Sequence, residues 1–420
     1  MSSEEQFVPM KLGINGLGRI GKLALWDHVD RRFFSEVVVN IGRDVGGSLA
    51  DAVHFMEKDS TYGNLEQYLH GCRGGRVIED LSEEEGTVRM NGVLVRVLRR
   101  HRNPAAIGWR DLGVELVVDA TGAFLDPAAP ADDPKGSARG HLEAGARKVI
   151  VSAPFKIKDK SKEMPPDAVT TIMGINDADF DPTRHLLVSN ASCTTTCLAY
   201  MIKPLLDYFG PQRILSASMT TVHAATSSQQ VLDRAPKAKA ADLRKSRSAF
   251  NNIILTTTGA AKALGLVIPE MKQIGFIAES VRVPVTTGSL IILVVLVQDE
   301  SMRNPVNRAR INGIYQEATR LYPKDYLRYS EEQNVSSDII GFPRAAAIIE
   351  GHETHTRTAA VRFDTSRFMK SAEGLTSDLE DPIMEIPVTQ AVIYGWYDNE
   401  LGSYTHMLGD RTVSIAKLLQ

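Results

Sequence analysis

Apolar and polar positions near the start of the chain predict a strand, a glycine turn, a helix and a second strand. Residues 10–15 form a short, mostly apolar run that leads into the segment GLGRIG at 16–21. Apolar residues at helical spacing follow over 20–26, and residues 37–39 are three consecutive valines. Short apolar runs of this kind are typical of buried strands, and this order of elements is that of a βαβ unit.

Two further apolar runs extend the same pattern. Residues 114–122 and 148–154 each contain a short apolar run and end in small or polar residues, as strands do where they lead into loops. The first part of the chain is therefore predicted to form an open, mostly parallel α/β sheet.

The second part has longer strand-like runs and fewer helical ones. The helical stretches lie at 198–206 and 305–321, and an amphipathic helix is expected at 409–419. The strand-like runs lie at 219–222, 275–284, 289–297, 359–363 and 388–396. This distribution predicts an α+β domain with one mixed sheet. The polar segment 365–385 is expected to be an exposed insertion.

The glycine turn indicates what the first domain binds. After a strand and at the start of a helix, the spacing Gly16-x-Gly18-x-x-Gly21 is a dinucleotide fingerprint, since glycines allow the backbone to approach a pyrophosphate at the helix N-terminus. The alternative is a turn chosen only for close packing of helix on strand. We predict a Rossmann-type dinucleotide-binding domain, and we assign to the cofactor the turn residues Gly16, Gly18, Arg19 and Ile20.

Length and composition bound the organisation and the environment. A chain of 420 residues suits two domains. We place a dinucleotide-binding domain at 1–192, completed by a C-terminal helical segment at 398–420, and a catalytic domain at 193–397. Lys and Arg number 48 against 51 Asp and Glu, so neither a nucleic acid nor a membrane is expected as a partner.

Cysteine usage and the apolar runs point to the cytoplasm. Three cysteines in a chain of this length do not make a disulfide framework, and they lack the His or Cys partners of a structural zinc site, so no metal is expected. The N-terminal residues lack the apolar segment of a secretory signal. The longest apolar run, eight residues at 290–297, is too short to span a bilayer.

The residues after the second strand bear on the choice of cofactor. Folds of this type usually carry an acidic residue there to bind the ribose hydroxyls, but this chain has Ile41. Arg43 could contact a 2′-phosphate instead, or it could be a solvated surface charge, and Asp44 could still reach the ribose. We expect NAD or NADP as the cofactor, with NADP used at least as well as NAD.

Cys193 is the candidate nucleophile. It lies between a strand-like run at 186–189 and an apolar helical run, so it is expected at a helix N-terminus. There the helix dipole is expected to lower the thiol pKa, and backbone N–H groups could stabilise an oxyanion. Cys197, one turn later, is expected to be structural. The alternative is that both are ordinary buried cysteines.

A thiol nucleophile needs a base, and His223 is the candidate. It ends a predicted strand in the segment MTTVHAAT at 219–226. A lone histidine at a strand end is more often structural than catalytic, so the assignment depends on its pairing with Cys193.

Eight segments together resemble the glyceraldehyde-3-phosphate dehydrogenase family. They occur in the family's order along nearly the whole chain, and that order is far more specific than any one match. The segments are GINGLGRIG (13–21), KDSTYG (58–63), SNASCTTTC (189–197), TTVH (220–223), TTTGAAK (256–262), RVP (282–284), VSSD (335–338) and WYDNE (396–400).

The resemblance implies an activity and a role for each matching residue. Cys193 would add to the aldehyde of glyceraldehyde 3-phosphate, His223 would be its base, and inorganic phosphate would release an acyl phosphate. Thr121, Ser152 and Asn399 would lie on the nicotinamide side of the cofactor. The resemblance further implies that the two phosphate groups are held by Ser192, Thr194, Thr226, Lys245, Thr258, Gly259 and Arg282. It also implies a homotetramer that acts in glycolysis or gluconeogenesis.

The chain departs from the family pattern at several positions. Lys245 stands where an arginine is usual, Ile41 where an aspartate is usual, and Leu401 and Ser403 where aromatic residues are usual. These departures leave rivals open. One is a sister enzyme that oxidises another phosphorylated aldehyde, such as erythrose 4-phosphate, with water as acceptor. Others are a semialdehyde dehydrogenase of similar fold and a catalytically silent binding or regulatory protein.

Overall fold

A computed structural model describes residues 8–159, 161–236, 238–364 and 383–420. Within these residues the chain forms two large sheets, one on each side of residue 192 along the sequence. The strands before residue 192 are β1 (Val8–Asn15), β2 (Phe34–Asn40), β3 (Lys58–Asp59), β4 (Gly63–Asn64), β5 (Ile78–Ser82), β6 (Thr87–Met90), β7 (Val93–Leu98), β8 (Val114–Asp119), β9 (Lys148–Val151), β10 (Ala168–Thr170) and β11 (Leu187–Ser189).

The first sheet has nine strands in the order β10-β11-β9-β8-β1-β2-β7-β6-β5. All neighbours from β10 to β7 pair in parallel, and only β6 and β5 are antiparallel. Its helices are α1 (Arg19–Arg31), α2 (Leu49–Glu57), α3 (Leu65–His70), α4 (Trp109–Leu112) and α5 (Ala138–Glu143). Because β1 pairs with both β2 and β8, the carboxyl ends of these strands meet where a doubly wound sheet binds its ligand.

The second sheet has eight strands and is mixed. Its order is β13-β14-β12-β15-β19-β17-β16, with β18 also paired to β19. The strands are β12 (Ile214–His223), β13 (Ile254–Thr256), β14 (Gly275–Arg282), β15 (Ser289–Gln298), β16 (Leu327–Ser330), β17 (Ala347–Glu350), β18 (His355–Asp364) and β19 (Ile383–Tyr397). In β15 every second residue is fully buried, so one face of the sheet packs on the core.

Helices cover that buried face and also return to the first sheet. They are α6 (Cys193–Phe209), α7 (Ala260–Val267), α8 (Arg308–Leu321) and α9 (His406–Leu419). Met201 of α6 shares a core with Leu293 and Ile393 of the sheet, whereas Leu408 and Ile415 of α9 join the core of the first sheet. No helix in the described part of the chain has the length and apolar character needed to cross a membrane.

The architecture confirms the predicted fold class, a Rossmann-type α/β sheet followed by an α+β unit with a mixed sheet. Several element ends differ from expectation. Helix α8 begins at Arg308 rather than 305, because the Asn307 side chain caps it by accepting from the Arg310 N–H. Residues 383–385 of the predicted insertion belong to β19, and residues 365–382 lie outside the described residues.

A π-helical turn, Leu401–Thr405, precedes α9. The family motif expects an aromatic residue at 403, and the chain has Ser403 followed by Tyr404. A π-turn is the local conformation by which a helix takes up one extra residue. Tyr404 lies within this turn, and its ring is buried.

Candidate active site

Cys193 is the first residue of α6, as the sequence predicts. The Ser192 side chain caps the helix: its hydroxyl accepts from the Thr195 N–H at 3.2 Å, which accounts for this position locally. Ala191, just before it, has a φ of 51° in the left-handed region although it is not glycine. Non-glycine residues in that region are uncommon and concentrate at functional sites.

His223 lies opposite Cys193 at the end of β12. The Cys193 Sγ is 3.9 Å from the His223 Nε2, so the structure brings the predicted nucleophile and base together. The His223 Nδ1 lies 2.8 Å from the Ala224 carbonyl oxygen. We assign the proton to Nδ1, donated to that oxygen, because this tautomer leaves Nε2 free to accept the thiol proton.

Burial keeps both groups of the pair neutral. Burial, with the Arg282 guanidinium as the second cause, lowers the pKa of His223 to about 4. Burial raises the pKa of the Cys193 thiol above its ordinary value, although the Thr194 hydroxyl and N–H and the charge of Arg282 oppose it. The prediction that the helix N-terminus lowers the pKa of this thiol is therefore wrong. Loss of solvation raises the pKa by more than the nearby polar groups lower it.

Asn399 completes a triangle with the catalytic pair. Its side-chain amide nitrogen lies 3.3 Å from the His223 Nε2 and 4.0 Å from the Cys193 Sγ. Its amide oxygen accepts from the Ser289 hydroxyl at 2.7 Å. This bond fixes the amide so that the N–H₂ group faces the sulfur and the imidazole.

Arg282 lies beside His223 because β12 and β14 pair these two positions directly. Its guanidinium donates at 3.1 Å to the Ala224 carbonyl oxygen, the same oxygen that accepts from the His223 Nδ1–H, so the cation lies beside the imidazole without accepting or sharing its proton. The arginine is half-buried, and several of its N–H groups have no protein partner among the described residues. A forked, partly desolvated cation of this kind suits a phosphate.

The hydroxyl groups assigned to phosphate differ in where they point. The Thr194 hydroxyl is buried, lies 2.9 Å from the Tyr397 hydroxyl and also hydrogen-bonds the Cys193 thiol. It is therefore directed to the core and the sulfur, and the Thr194 backbone is the part that remains for a phosphate. Thr226 is half-buried, with its hydroxyl 2.9 Å from that of Ser228. The Thr258 hydroxyl accepts from the Ala260 N–H, next to the cap residue Gly259 of α7.

Within the described residues, the Lys245 side chain has no hydrogen bond or ion pair that links it to this cluster. It lies in a short 3-10 helix, Leu243–Ser246, and its side chain is exposed. Within the described residues its ammonium forms no hydrogen bond or ion pair. Its assignment to phosphate thus stays a prediction that rests on the family resemblance alone.

The glycine turn has the shape that a pyrophosphate requires. Gly16 has a φ of +94°, and a Cβ there would lie 2.8 Å from the Thr121 Cγ2. A Cβ on Gly21 would lie 1.9 Å from the Gly16 carbonyl oxygen, so this position packs helix on strand. A Cβ on Gly18 would meet nothing within 4 Å, and no side chain caps α1. The open space and free helix N–H groups fit a dinucleotide.

The other residues predicted to bind the cofactor differ in whether their side chains are available to a ligand. Thr121 is exposed, and both its hydroxyl and its N–H bond to Asp119 at the end of β8. The Ser152 N–H donates to the Asp119 carbonyl oxygen. The Ile20 side chain packs against the core of the first sheet, so only its backbone remains for a ligand. The Arg19 guanidinium is held by Asp59 and Glu400 instead of facing the open space.

The region after β2 lacks an acidic ribose ligand at the expected place. Ile41 directly follows the strand, and its N–H donates to the Leu98 carbonyl oxygen. Arg43 and Asp44 are both exposed, and neither forms a hydrogen bond or ion pair within the described part of the chain. Both side chains are therefore available to contact a cofactor.

Sequence reasoning missed the buried groups that support the site. Tyr397 places its hydroxyl between those of Thr194 and Thr221, at 2.9 and 2.8 Å. Asp398, only 1% exposed, accepts several hydrogen bonds next to Asn399. Both residues belong to the WYDNE segment, which marked the region but not these partners. In the described residues no group of three or more His, Cys, Asp or Glu side chains is arranged to hold a metal.

Comparison with known proteins agrees with this geometry. The model of the glyceraldehyde 3-phosphate dehydrogenase NAD binding domain matches residues 10–127, and that of the C-terminal domain matches residues 192–369. Glyceraldehyde-3-phosphate dehydrogenase of Streptomyces coelicolor is 37% identical over 98% of this chain and 99% of its own length. The enzyme of the same name from Mycobacterium leprae is 35% identical over the same shares. The chain therefore belongs to the glyceraldehyde-3-phosphate dehydrogenase family.

Proposed function

We propose that the chain is a phosphorylating glyceraldehyde-3-phosphate dehydrogenase that uses NAD or NADP. The observation that carries the proposal is the convergence of three groups. The Cys193 Sγ lies 3.9 Å from the His223 Nε2, and the Asn399 amide lies against both. A thiol, a base and an amide donor around one space are what nucleophilic attack on an aldehyde requires.

The first step is addition of sulfur to the aldehyde carbon. With a pKa of about 4, His223 is neutral at pH 7 and free to take the thiol proton as the carbon–sulfur bond forms. The neutral thiol is thereby activated only when substrate is present. The imidazolium, together with the Asn399 N–H₂ group, then donates to the oxygen of the thiohemiacetal.

The second step converts the thiohemiacetal to a thioester on Cys193. His223 accepts the hydroxyl proton as the carbonyl forms. Backbone N–H groups at the Gly16–Gly21 turn would hold the dinucleotide pyrophosphate, and Thr121, Ser152 and Asn399 would orient the nicotinamide. The bound nicotinamide supplies the acceptor for the two electrons and the hydrogen that leave the aldehyde carbon.

The last step releases the acyl group. Inorganic phosphate attacks the thioester carbon, the carbon–sulfur bond breaks to release an acyl phosphate, and the His223 imidazolium returns its proton to the Cys193 thiolate. Arg282 is the cation closest to the pair, and its free N–H groups support a role in holding phosphate oxygens. We assign the remaining contacts to Ser192, to the Thr194 backbone, to Thr226, Thr258 and Gly259, and to Lys245 as an exposed cation.

Cofactor selection follows from the end of β2. Without a carboxylate at Ile41, NAD lacks the usual ribose anchor, and no negative charge at that position repels a 2′-phosphate. Arg43, exposed and unpaired within the described residues, can supply a charge-assisted contact to that phosphate. We infer that NADP is used at least as well as NAD.

Assembly and location complete the proposal. Ile253, Leu255 and Ile277, on or beside the edge strand β13 and its neighbour β14, are more than half exposed, as are Val231 and Leu232. Exposed large apolar residues commonly form subunit contacts, which supports assembly into an oligomer. From the family resemblance we propose a homotetramer that acts in the cytoplasm in glycolysis or gluconeogenesis. We also propose the division into domains at residue 192, with residues 398–420 completing the first.

Steady-state turnover tests the proposal. Reduction of NAD and NADP is followed with glyceraldehyde 3-phosphate, with and without inorganic phosphate, and with erythrose 4-phosphate as the competing substrate. We expect turnover that depends on phosphate and prefers glyceraldehyde 3-phosphate. Turnover that continues at full rate without phosphate would assign water as the acceptor and contradict the phosphorylating mechanism.

A further inference from the structure

The residues on either side of Asn399 along the chain are both anchored, and they hold its side-chain amide in place. Asp398, before it, is 1% exposed, and Glu400, after it, contacts the Arg19 guanidinium. The position of the amide against Cys193 and His223 therefore depends on what anchors these two acids.

Asp398 is a buried carboxylate surrounded by neutral donors. Within the described residues it has no ion pair with a cation. Its five donors are the hydroxyls of Tyr62 (2.6 Å) and Thr287 (2.8 Å) and the backbone N–H groups of Glu400 (3.0 Å), Gly341 (2.8 Å) and Gly402 (3.0 Å). A buried carboxylate without a cation depends on its neutral hydrogen bonds, so the loss of one matters more than at the surface.

Tyr62 is the donor that comes from the dinucleotide-binding part of the chain. It lies in the turn between β3 and β4, and its hydroxyl also accepts from the Leu401 N–H at 3.3 Å. Asp59 fixes this turn, since its carboxylate accepts from the Thr61 and Tyr62 N–H groups at 2.9 and 3.1 Å. Lys22 of α1 pairs with the same carboxylate at 2.8 Å. The helix that follows the glycine turn is thus linked to the residue that anchors Asp398.

We propose that Tyr62 is a positioning residue for catalysis: its hydroxyl anchors Asp398 and thereby holds the Asn399 amide against Cys193 and His223. The inference rests on the proposed function in that these three residues are its catalytic groups. Tyr62 touches none of them, so its effect passes through Asp398 and the backbone of the WYDNE segment.

The substitution Tyr62→Phe removes the hydroxyl and keeps the ring, which lies 5.6 Å from the Arg19 guanidinium carbon. We expect kcat to fall about tenfold while KM for aldehyde and cofactor stays within about twofold, because the displaced amide serves the transition state more than binding. Reaction of Cys193 with iodoacetamide is expected to slow about threefold at pH 7, with its pH profile shifted upward, because the thiolate loses an amide donor.

Thr194, whose hydroxyl and N–H hydrogen-bond the thiol, is unchanged in this variant, and so are the titratable and charged groups around Cys193. They are His223 and Arg282 on the second sheet, the phenols of Tyr397 and Tyr404, and the Cys197 thiol. Tyr68→Phe is the matched control. Its hydroxyl lies in the same part of the chain and contacts the His406 imidazole at 3.3 Å, away from Asp398. This control is expected to leave kcat and alkylation unchanged.

Thr287→Val is a second test of the same anchor, because it removes the other hydroxyl donor to this carboxylate oxygen and also the Thr287 hydroxyl that accepts from the Asn399 N–H at 3.2 Å. The same combination of lower kcat and slower alkylation is expected, even if Tyr62→Phe fails to fold. Wild-type kcat and alkylation in either folded variant, or equal losses in Tyr68→Phe, would overturn the proposal. Alkylation requires no substrate. A wild type without dehydrogenase activity whose alkylation still slows in Tyr62→Phe would therefore refute the proposed function and leave the positioning role standing.

Discussion

His223 and Arg282 occupy paired positions on the parallel strands β12 and β14, so the sheet itself sets a guanidinium against the imidazole. A fixed positive charge beside a buried histidine disfavours its protonated form. The base is consequently neutral over the whole physiological pH range, and the same cation remains available to an anionic substrate.

This relationship predicts the titration of His223. Its ring should titrate near pH 4 in the wild type, and Arg282→Gln should raise that pKa while burial still keeps it below the ordinary value of about 6.5. Titration by NMR of ring-labelled histidine, with His223→Gln to assign the signal, measures both values. A wild-type His223 that titrates near 6.5 would contradict the electrostatic account of the pair.

The two cysteines of α6 should respond differently to serine substitution. Cys193→Ser should reduce turnover by at least about a thousandfold without loss of folding, because a serine hydroxyl is a far weaker acid and nucleophile here. Cys197 is fully buried beside the Met201 sulfur, so Cys197→Ser should cost about 1–2 kcal/mol of stability and leave kcat nearly unchanged. Steady-state kinetics and thermal unfolding of both variants decide the assignment. An inactive Cys197→Ser beside an active Cys193→Ser would reverse it.

The absence of a carboxylate at Ile41 predicts how cofactor preference can be changed. Ile41→Asp should swing kcat/KM toward NAD by about tenfold, since it restores a ribose acceptor and repels a 2′-phosphate. Arg43→Ala should weaken NADP use and leave NAD use unchanged. Measuring kcat/KM for both cofactors in the three proteins tests this. A wild type that strongly prefers NAD, with Arg43→Ala indifferent, would point to Asp44 as the ribose ligand instead.

Acid sensitivity is expected to come partly from His28. It is 1% exposed, neither ring nitrogen has a partner among the described residues, and burial lowers its pKa to about 3. A folded-state pKa below the unfolded value of about 6.5 means that stability is full above pH 6.5 and falls as the pH drops toward 3. At pH 5 the loss is about 2 kcal/mol.

The variant His28→Leu removes this titration. Its melting temperature should therefore fall less than that of the wild type between pH 7.5 and pH 5. Differential scanning fluorimetry at the two pH values measures these melting temperatures. Equal falls in both proteins would show that other groups carry the acid sensitivity.

The sequence predicted those elements whose hydrophobic periodicity or glycine spacing is visible within a short stretch of the chain. The strand–turn–helix–strand unit at 10–39 has clear periodicity, and its glycines have the positive φ and close contacts that only glycine permits. Cys193 at a helix start followed from the apolar run behind it. The antiparallel strands β5 and β6 at the edge of the first sheet were missed, because short and mostly exposed strands such as β5 lack an apolar period.

Contacts between distant parts of the chain were beyond local pattern. Tyr62 and Asp398 are 336 positions apart, and nothing near either residue encodes their hydrogen bond. The Thr194 hydroxyl turns to Tyr397, 203 positions away, rather than to a phosphate. The pKa of Cys193 depends on how completely the folded site is shielded from water, which motif spacing does not contain.

The proposed mechanism requires that an acyl group forms on Cys193 and that phosphate removes it. In the most direct test, enzyme, oxidised cofactor and glyceraldehyde 3-phosphate are mixed without inorganic phosphate, and reduced cofactor is recorded within one turnover. The reaction is then quenched with acid, and the acylated residue is identified by mass spectrometry. We expect a burst of reduced cofactor equal to the number of active sites, an acyl group on Cys193, and continued turnover once phosphate is added. Steady turnover without a burst or acylation, or an acyl group on another residue, would contradict it.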